Sequence, residues 1–92
     1  MQNIFIMMIF NKGSKEQKRL SKSVKVFLIN QGFDSVYKAC KHSGYSYGII
    51  TNQLSGRTHL SVELINAFVK EINSQYSVEI VNKNPVVTNR KL

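Results

Sequence analysis

The chain has 92 residues, of which 42% are apolar, with thirteen Lys or Arg against five Asp or Glu and a formal net charge of +8. This length holds one domain with one modest core, and the apolar fraction excludes a disordered tail. The basic excess points to a polyanionic partner, either nucleic acid or an anionic membrane face.

The single cysteine, Cys40, excludes an internal disulfide and suits a reducing, cytoplasmic setting. His42, His59 and Cys40 have no metal-ligand spacing, so no metal site is expected. No cofactor or small-molecule ligand is expected either. The five acids are scattered, and no Gly-rich phosphate loop or nucleophile elbow is present, so the pattern is not that of an enzyme. Glu63 and Glu71, eight positions apart, have the spacing of solvent-face charges.

In chain order, the first element is the apolar run IFIMMIF, Ile4 to Phe10. Seven residues cannot cross a bilayer, which needs roughly twenty. The run also lacks the flanks of a signal peptide. It is either a paired β-strand or an extension ahead of a true start at Met7 or Met8. Residues 1–13 are therefore set apart as an apolar N-terminal segment, either a strand or disordered.

Ser14 and Gln17 have the spacing of a capping box, which predicts a helix over about 15–31. Leu20, Val24, Phe27 and Leu28 fall on one face of it, and Gly32 stops it. Lys15, Lys18, Lys22 and Lys25 form a stripe on another face, with Arg19 beside it. An amphipathic basic helix can lie on a membrane. Here the apolar face is needed for the core of so small a domain, and membrane binding is not expected.

A second, shorter helix is capped by Asp34 or Ser35, turns Val36, Ala39 and Cys40 inward, and ends at Gly44. Ser46 caps a third helix from Tyr47 to Ser55, with Tyr47, Ile50 and Leu54 inward and Gly56 as its stop. Ser61 caps a fourth, with Leu64, Ile65, Phe68, Val69 and Ile72 as a wide apolar stripe. YSVEIV, residues 76–81, reads either as a strand or as a last turn of helix. Residues 82–92 read as a turn, a possible short strand and a basic tail. The expected fold class is thus all-α: four or five helices, with any short β-strands confined to the terminal segments. The domain proper is expected over residues 14–81.

The stretch from Gly44 to Gly56 carries no charge in an otherwise basic chain. Two short helices joined by a short turn form the helix-turn-helix unit. Ala39 and Cys40 are small enough for a close helix crossing. With Ile50 and Leu54 inward, the far side of the third helix presents Gly48, Asn52 and Ser55, flanked by Thr51 and Tyr47. Such a polar, uncharged face suits base edges in a major groove, where an amide pairs with adenine. Ile49 projects sideways, either to meet a thymine methyl or to join the core. Lys22, Lys38, Lys41 and Arg57 are placed to meet phosphates.

The segment from about Lys22 to Val81 resembles the Cro/repressor-type helix-turn-helix domain of phage and bacterial regulators (lambda repressor-like, XRE-type). The matching features are Cys40 as the small residue, Gly44 and Ser46 at the turn, Ile50 as anchor, Leu54-Ser55-Gly56 closing the helix, and the downstream S-x-E-L-I helix. Two positions depart from the pattern. Ser43 and Gln53 stand where larger apolar residues are usual. The resemblance implies a transcriptional regulator, a repressor of phage or mobile-element type, with helix 47–55 in the major groove of double-stranded DNA. Base contacts are expected from Tyr47, Gly48, Thr51 and Asn52. Phosphate contacts are expected from Ser46, Arg57, Thr58, Lys22, Lys38 and Lys41. Binding as a homodimer is expected, with half-sites about 34 Å apart. The two copies would join through the N-terminal apolar segment or through Tyr76–Val87, for example by strand addition between IFIMMIF and VNKNPVVT. The alternative is a protein-interaction module on the same fold, such as an antitoxin or a small phage protein that binds a host protein.

Overall fold

The computed structural model describes residues 8–90. Ile4 to Met7, and the last two residues of the expected tail, lie outside the described residues. The elements in chain order are β1 (Ile9–Phe10), α1 (Lys15–Asn30), α2 (Val36–Ser43), α3 (Tyr47–Ser55), β2 (Leu60–Ser61), α4 (Val62–Ile72), β3 (Tyr76–Val81) and β4 (Asn84–Asn89).

Local chemistry sets the helix ends. The hydroxyls of Ser14, Ser35, Ser46 and Ser61 each accept a backbone N–H from three residues on. Of the two candidates for the α2 cap, Ser35 is the one used, with Lys38 N at 3.1 Å. Gly32 follows α1 at φ 93°, and the Phe33 N–H returns to the Leu28 carbonyl at 2.9 Å. One face of α1 (Leu20, Val24, Phe27 and Leu28) is buried together with Ile50 and Leu54 of α3 and Ile65, Phe68 and Val69 of α4.

The all-α expectation is overturned. The described chain is a mixed α/β fold of four helices and two two-stranded antiparallel sheets, with no fifth helix among the described residues. The first sheet pairs Ile9 with Ser61 and Phe10 with Leu60, so β1 is fastened across the start of α4. The second is a hairpin of six pairs, from Tyr76↔Asn89 to Val81↔Asn84. Its two-residue turn, Asn82-Lys83, has φ of 53° and 68°. Both central residues are therefore left-handed, which matches the twist of the flanking strands. The boundary drawn after residue 81 falls in this turn. Residues 84–89, read as the end of a turn, a short strand and the start of a basic tail, form the six-residue strand β4.

The hairpin lies across the helices as part of the core. Val78 and Pro85 are fully buried, and the Tyr76 ring packs on Phe27 at 5.0 Å between centroids. In an antiparallel pair closed by a two-residue turn, alternate residues point their backbone groups away from the partner strand. On β3 that set includes Val78, whose N–H donates to Asn66 Oδ1 of α4 at 2.8 Å. On β4 it includes Val87, whose N–H donates to Ser23 Oγ of α1 at 2.8 Å, and Pro85, which has no N–H. Both parts of the strand-addition idea are thus engaged within the chain: the described end of the apolar run pairs with β2, and VNKNPVVT pairs with β3.

Candidate nucleic-acid interface

α2 and α3 are joined by three residues, Gly44 to Ser46. Gly44 sits at φ 81°, and its N–H donates to the Cys40 carbonyl at 2.8 Å, so the turn uses the left-handed conformation that favours glycine. Ala39 and Cys40 are buried at the crossing. Burial pushes the Cys40 thiol pKa up. That makes it a packing group rather than an activated nucleophile.

Ser43 and Gln53, polar where apolar residues were expected, each lie beside a contact that holds the helix pair. Tyr45, two residues after Ser43, meets Phe68 edge-on at 5.5 Å and supplies apolar contact in that region. Gln53 anchors α3 by a polar route: its Oε1 accepts the Ser61 N–H at 3.0 Å, tying α3 to the cap of α4.

The carboxyl end of α3 is held from α1. Gln17 is buried, and its Nε2 donates to the Gln53 carbonyl at 3.0 Å and the Leu54 carbonyl at 2.9 Å. Ser21 Oγ adds a bond to the Leu54 carbonyl at 2.6 Å. The expected capping box is therefore half made. Ser14 receives the Gln17 N–H, while the Ser14 N–H goes to the Asn11 carbonyl, leaving the Gln17 side chain for α3. Beyond α3, Gly56 at φ 83° turns the chain, and the Arg57 N–H returns to the Asn52 carbonyl at 3.0 Å.

The expected base-contact residues lie along one length of α3. Tyr47 is 46% exposed, and its ring meets Tyr37 of α2 edge-on at 5.5 Å. This corrects its placement as a core-facing residue. Gly48 is exposed, and a Cβ built there would meet only Ser46 Oγ, at 3.9 Å. The fold itself therefore leaves room for a side chain at 48. Thr51 and Asn52 are half-buried, and neither side chain has a hydrogen-bond partner among the described residues. Ile49 is 54% exposed, which removes the core alternative for it.

The expected phosphate contacts divide between the two ends of α3. Near its start, Lys41 Nζ lies 5.7 Å from the centre of the Tyr37 ring, and that ring touches Tyr47. Lys38, also on α2, forms an exposed ion pair with Asp34 at 3.2 Å. Near the far end, Arg57 and Thr58 are exposed, and Thr58 Oγ1 donates to the His59 carbonyl at 3.1 Å. Lys22 lines a groove between α1 and the end of α3 together with Ser55 and Gly56. Ser46 is exposed, but its hydroxyl is occupied in capping, accepting the Ile49 N–H at 3.3 Å. His59 is engaged within the fold, with its Nδ1 accepting the Lys12 N–H at 3.1 Å.

Sequence reasoning missed Tyr37 and the clamping role of Gln17. Gln17 falls three residues before Leu20 on the apolar row, and that spacing was the available signal. Tyr37 carried no such signal, because it lies on the outer face of its own helix.

No helix among the described residues is long and apolar enough to cross a membrane. Comparisons with family models, with curated proteins and with solved structures find no match to this chain.

Proposed function

We propose that this chain is a sequence-specific double-stranded DNA-binding protein, a transcriptional regulator working in the cytoplasm of a bacterial or phage-infected cell. It would use α2, the turn and α3 as Cro/repressor-type regulators use theirs. One observation carries the reading. α3 presents an uncharged outer face with unengaged Thr51 and Asn52 side chains, while cations stand beyond both of its ends rather than on it. Base edges are read by neutral hydrogen-bonding and apolar groups, while phosphates take the charge. The net charge of +8 supplies the long-range attraction.

One unit covers too few base pairs for useful selectivity, so two copies on a two-fold site complete the proposal.

Selection from a random duplex DNA pool at about 150 mM salt tests the reading, because purely electrostatic binding is weakened there. A two-fold motif, lost with Asn52→Ala, is the expected result. Retention without any motif would reject it.

A second reading, binding to a protein partner, is favoured by a different feature. Val26 and Ile29 on α1 are 51% and 67% exposed, beside the cations Lys22 and Lys25. A tight stoichiometric protein complex with only sequence-blind DNA binding would select this reading instead.

A further inference from the structure

We infer that the half-site this chain reads is built on A·T pairs, with Asn52 on an adenine and Ile49 on the methyl group of a thymine. The inference rests on the DNA-binding reading above and names the kind of sequence that site would take.

α3 lacks the side chains that read G·C pairs most directly. The helix holds no Lys, Arg, Asp or Glu between positions 47 and 55. Guanine is most often read by a bidentate Arg or Lys on its O6 and N7, and cytosine by a carboxylate that accepts from its amino group. Neither tool is on the helix. Of its two amides, Gln53 is committed to the Ser61 N–H. Asn52 alone has its side-chain amide unengaged, and an amide of this kind pairs with adenine N6 and N7. The hydroxyls of Ser46 and Ser55 are partly engaged, the first accepting the Ile49 N–H and the second donating to the Asn52 carbonyl at 3.2 Å, and like that of Thr51 neither distinguishes one base from another.

What remains beside Asn52 is apolar or indifferent. Ile49 is more than half exposed on a face with no partner of its own, an unfavourable place for a branched aliphatic side chain in a free domain. The thymine methyl is the one apolar group in the major groove that would cover it. At about 100° per residue, Ile49 lies three residues and roughly 60° around the helix from Asn52. The two side chains therefore face neighbouring base steps. The Thr51 hydroxyl can serve any base, and Tyr47 has its ring edge against Tyr37.

The test uses the full chain and duplex DNA. After selection from the random pool, the enriched duplex is resynthesised with uracil for thymine, and separately with 7-deazaadenine for adenine, one position at a time. Uracil removes only the methyl group, and 7-deazaadenine removes only the N7 acceptor. One thymine-to-uracil change should weaken binding about fourfold, the size of one buried methyl group. Ile49→Ala should bind both duplexes equally. One adenine change should weaken binding roughly 5- to 150-fold, and Asn52→Ala should abolish that difference. Ile49 is exposed, so its truncation leaves the core intact, and the base analogues leave the protein unchanged. A half-site centred on guanine and lost with Arg57→Gln would overturn the inference while leaving sequence-specific binding in place. So would a duplex that tolerates uracil at every thymine. Failure to enrich any motif would overturn both.

Discussion

At the scale of single residues, two glutamines decide how α3 is seated. Gln53 is a polar residue where an apolar anchor of α3 was expected, so Gln53→Leu looks like an improvement. The bond to Ser61 argues otherwise. With leucine there, the Ser61 N–H loses its acceptor in a part-buried place, and a loss of about 1–3 kcal/mol is expected in urea unfolding. Gly56 is constrained twice. Its φ is 83°, and an added Cβ would lie 3.1 Å from Gln17 Oε1. Gln17 cannot swing away without giving up both carbonyls of α3. Gly56→Ala should therefore cost more than the roughly 1–2 kcal/mol of left-handed backbone strain, whereas Gly44→Ala, where a Cβ meets nothing within 4 Å, should cost about that amount alone. Thermal or urea melts of the pair would show the difference. Ser14 and Gln17 also mark what was legible at this scale. The cap is visible in S-x-x-Q, but the same spacing suits a side chain reaching back to the cap or one reaching out to a neighbour. Only the approach of α3 selects between them.

At the scale of elements, helices were easier to read than strands because their ends are written in short-range chemistry. Ser46 and Gly56 mark α3 to the residue, and Ser61 marks the start of α4. The hairpin lacked such marks. Its turn is Asn-Lys rather than the Asn-Gly that announces this geometry, and Pro85 argues against a strand. The proline is accommodated because its position faces outward from the ladder, where no N–H is required of it. Lys83 bears the strain of a left-handed residue with a side chain. Lys83→Gly is expected to raise the urea midpoint by the equivalent of up to about 1 kcal/mol at an unchanged m-value. A fall in stability would show that the lysine side chain contributes a contact that outweighs the backbone term. Of the two short strands, β1 is the end of the apolar run read as a paired strand, whereas β2 carried no mark of its own, being two residues long and formed only where β1 meets it.

At the scale of the whole molecule, the charge is unevenly committed. Among the described residues one ion pair forms, Lys38 with Asp34, and the other cations face solvent without a carboxylate. If the chain grips DNA as proposed, this predicts a ranking. Lys41→Gln and Arg57→Gln should each reduce the slope of log affinity against log salt by about 0.9, the release of one phosphate's counterions. Lys38→Gln should reduce it by less, because Asp34 already shares that charge. Anisotropy titrations between about 50 and 200 mM salt would give the slopes. Equal slopes for all three variants would contradict the ranking. The attachment of α3 is as uneven as the charge. Its last residues are held by hydrogen bonds from Gln17, Ser21 and Gln53, while its first turn is held by the buried Ile50 and its three exposed leading residues meet α2 through the edge of Tyr37. Residue 37 thus touches the exposed leading edge of α3 from outside the helix, so a change there would alter what supports Tyr47 without touching the helix that makes the proposed contact.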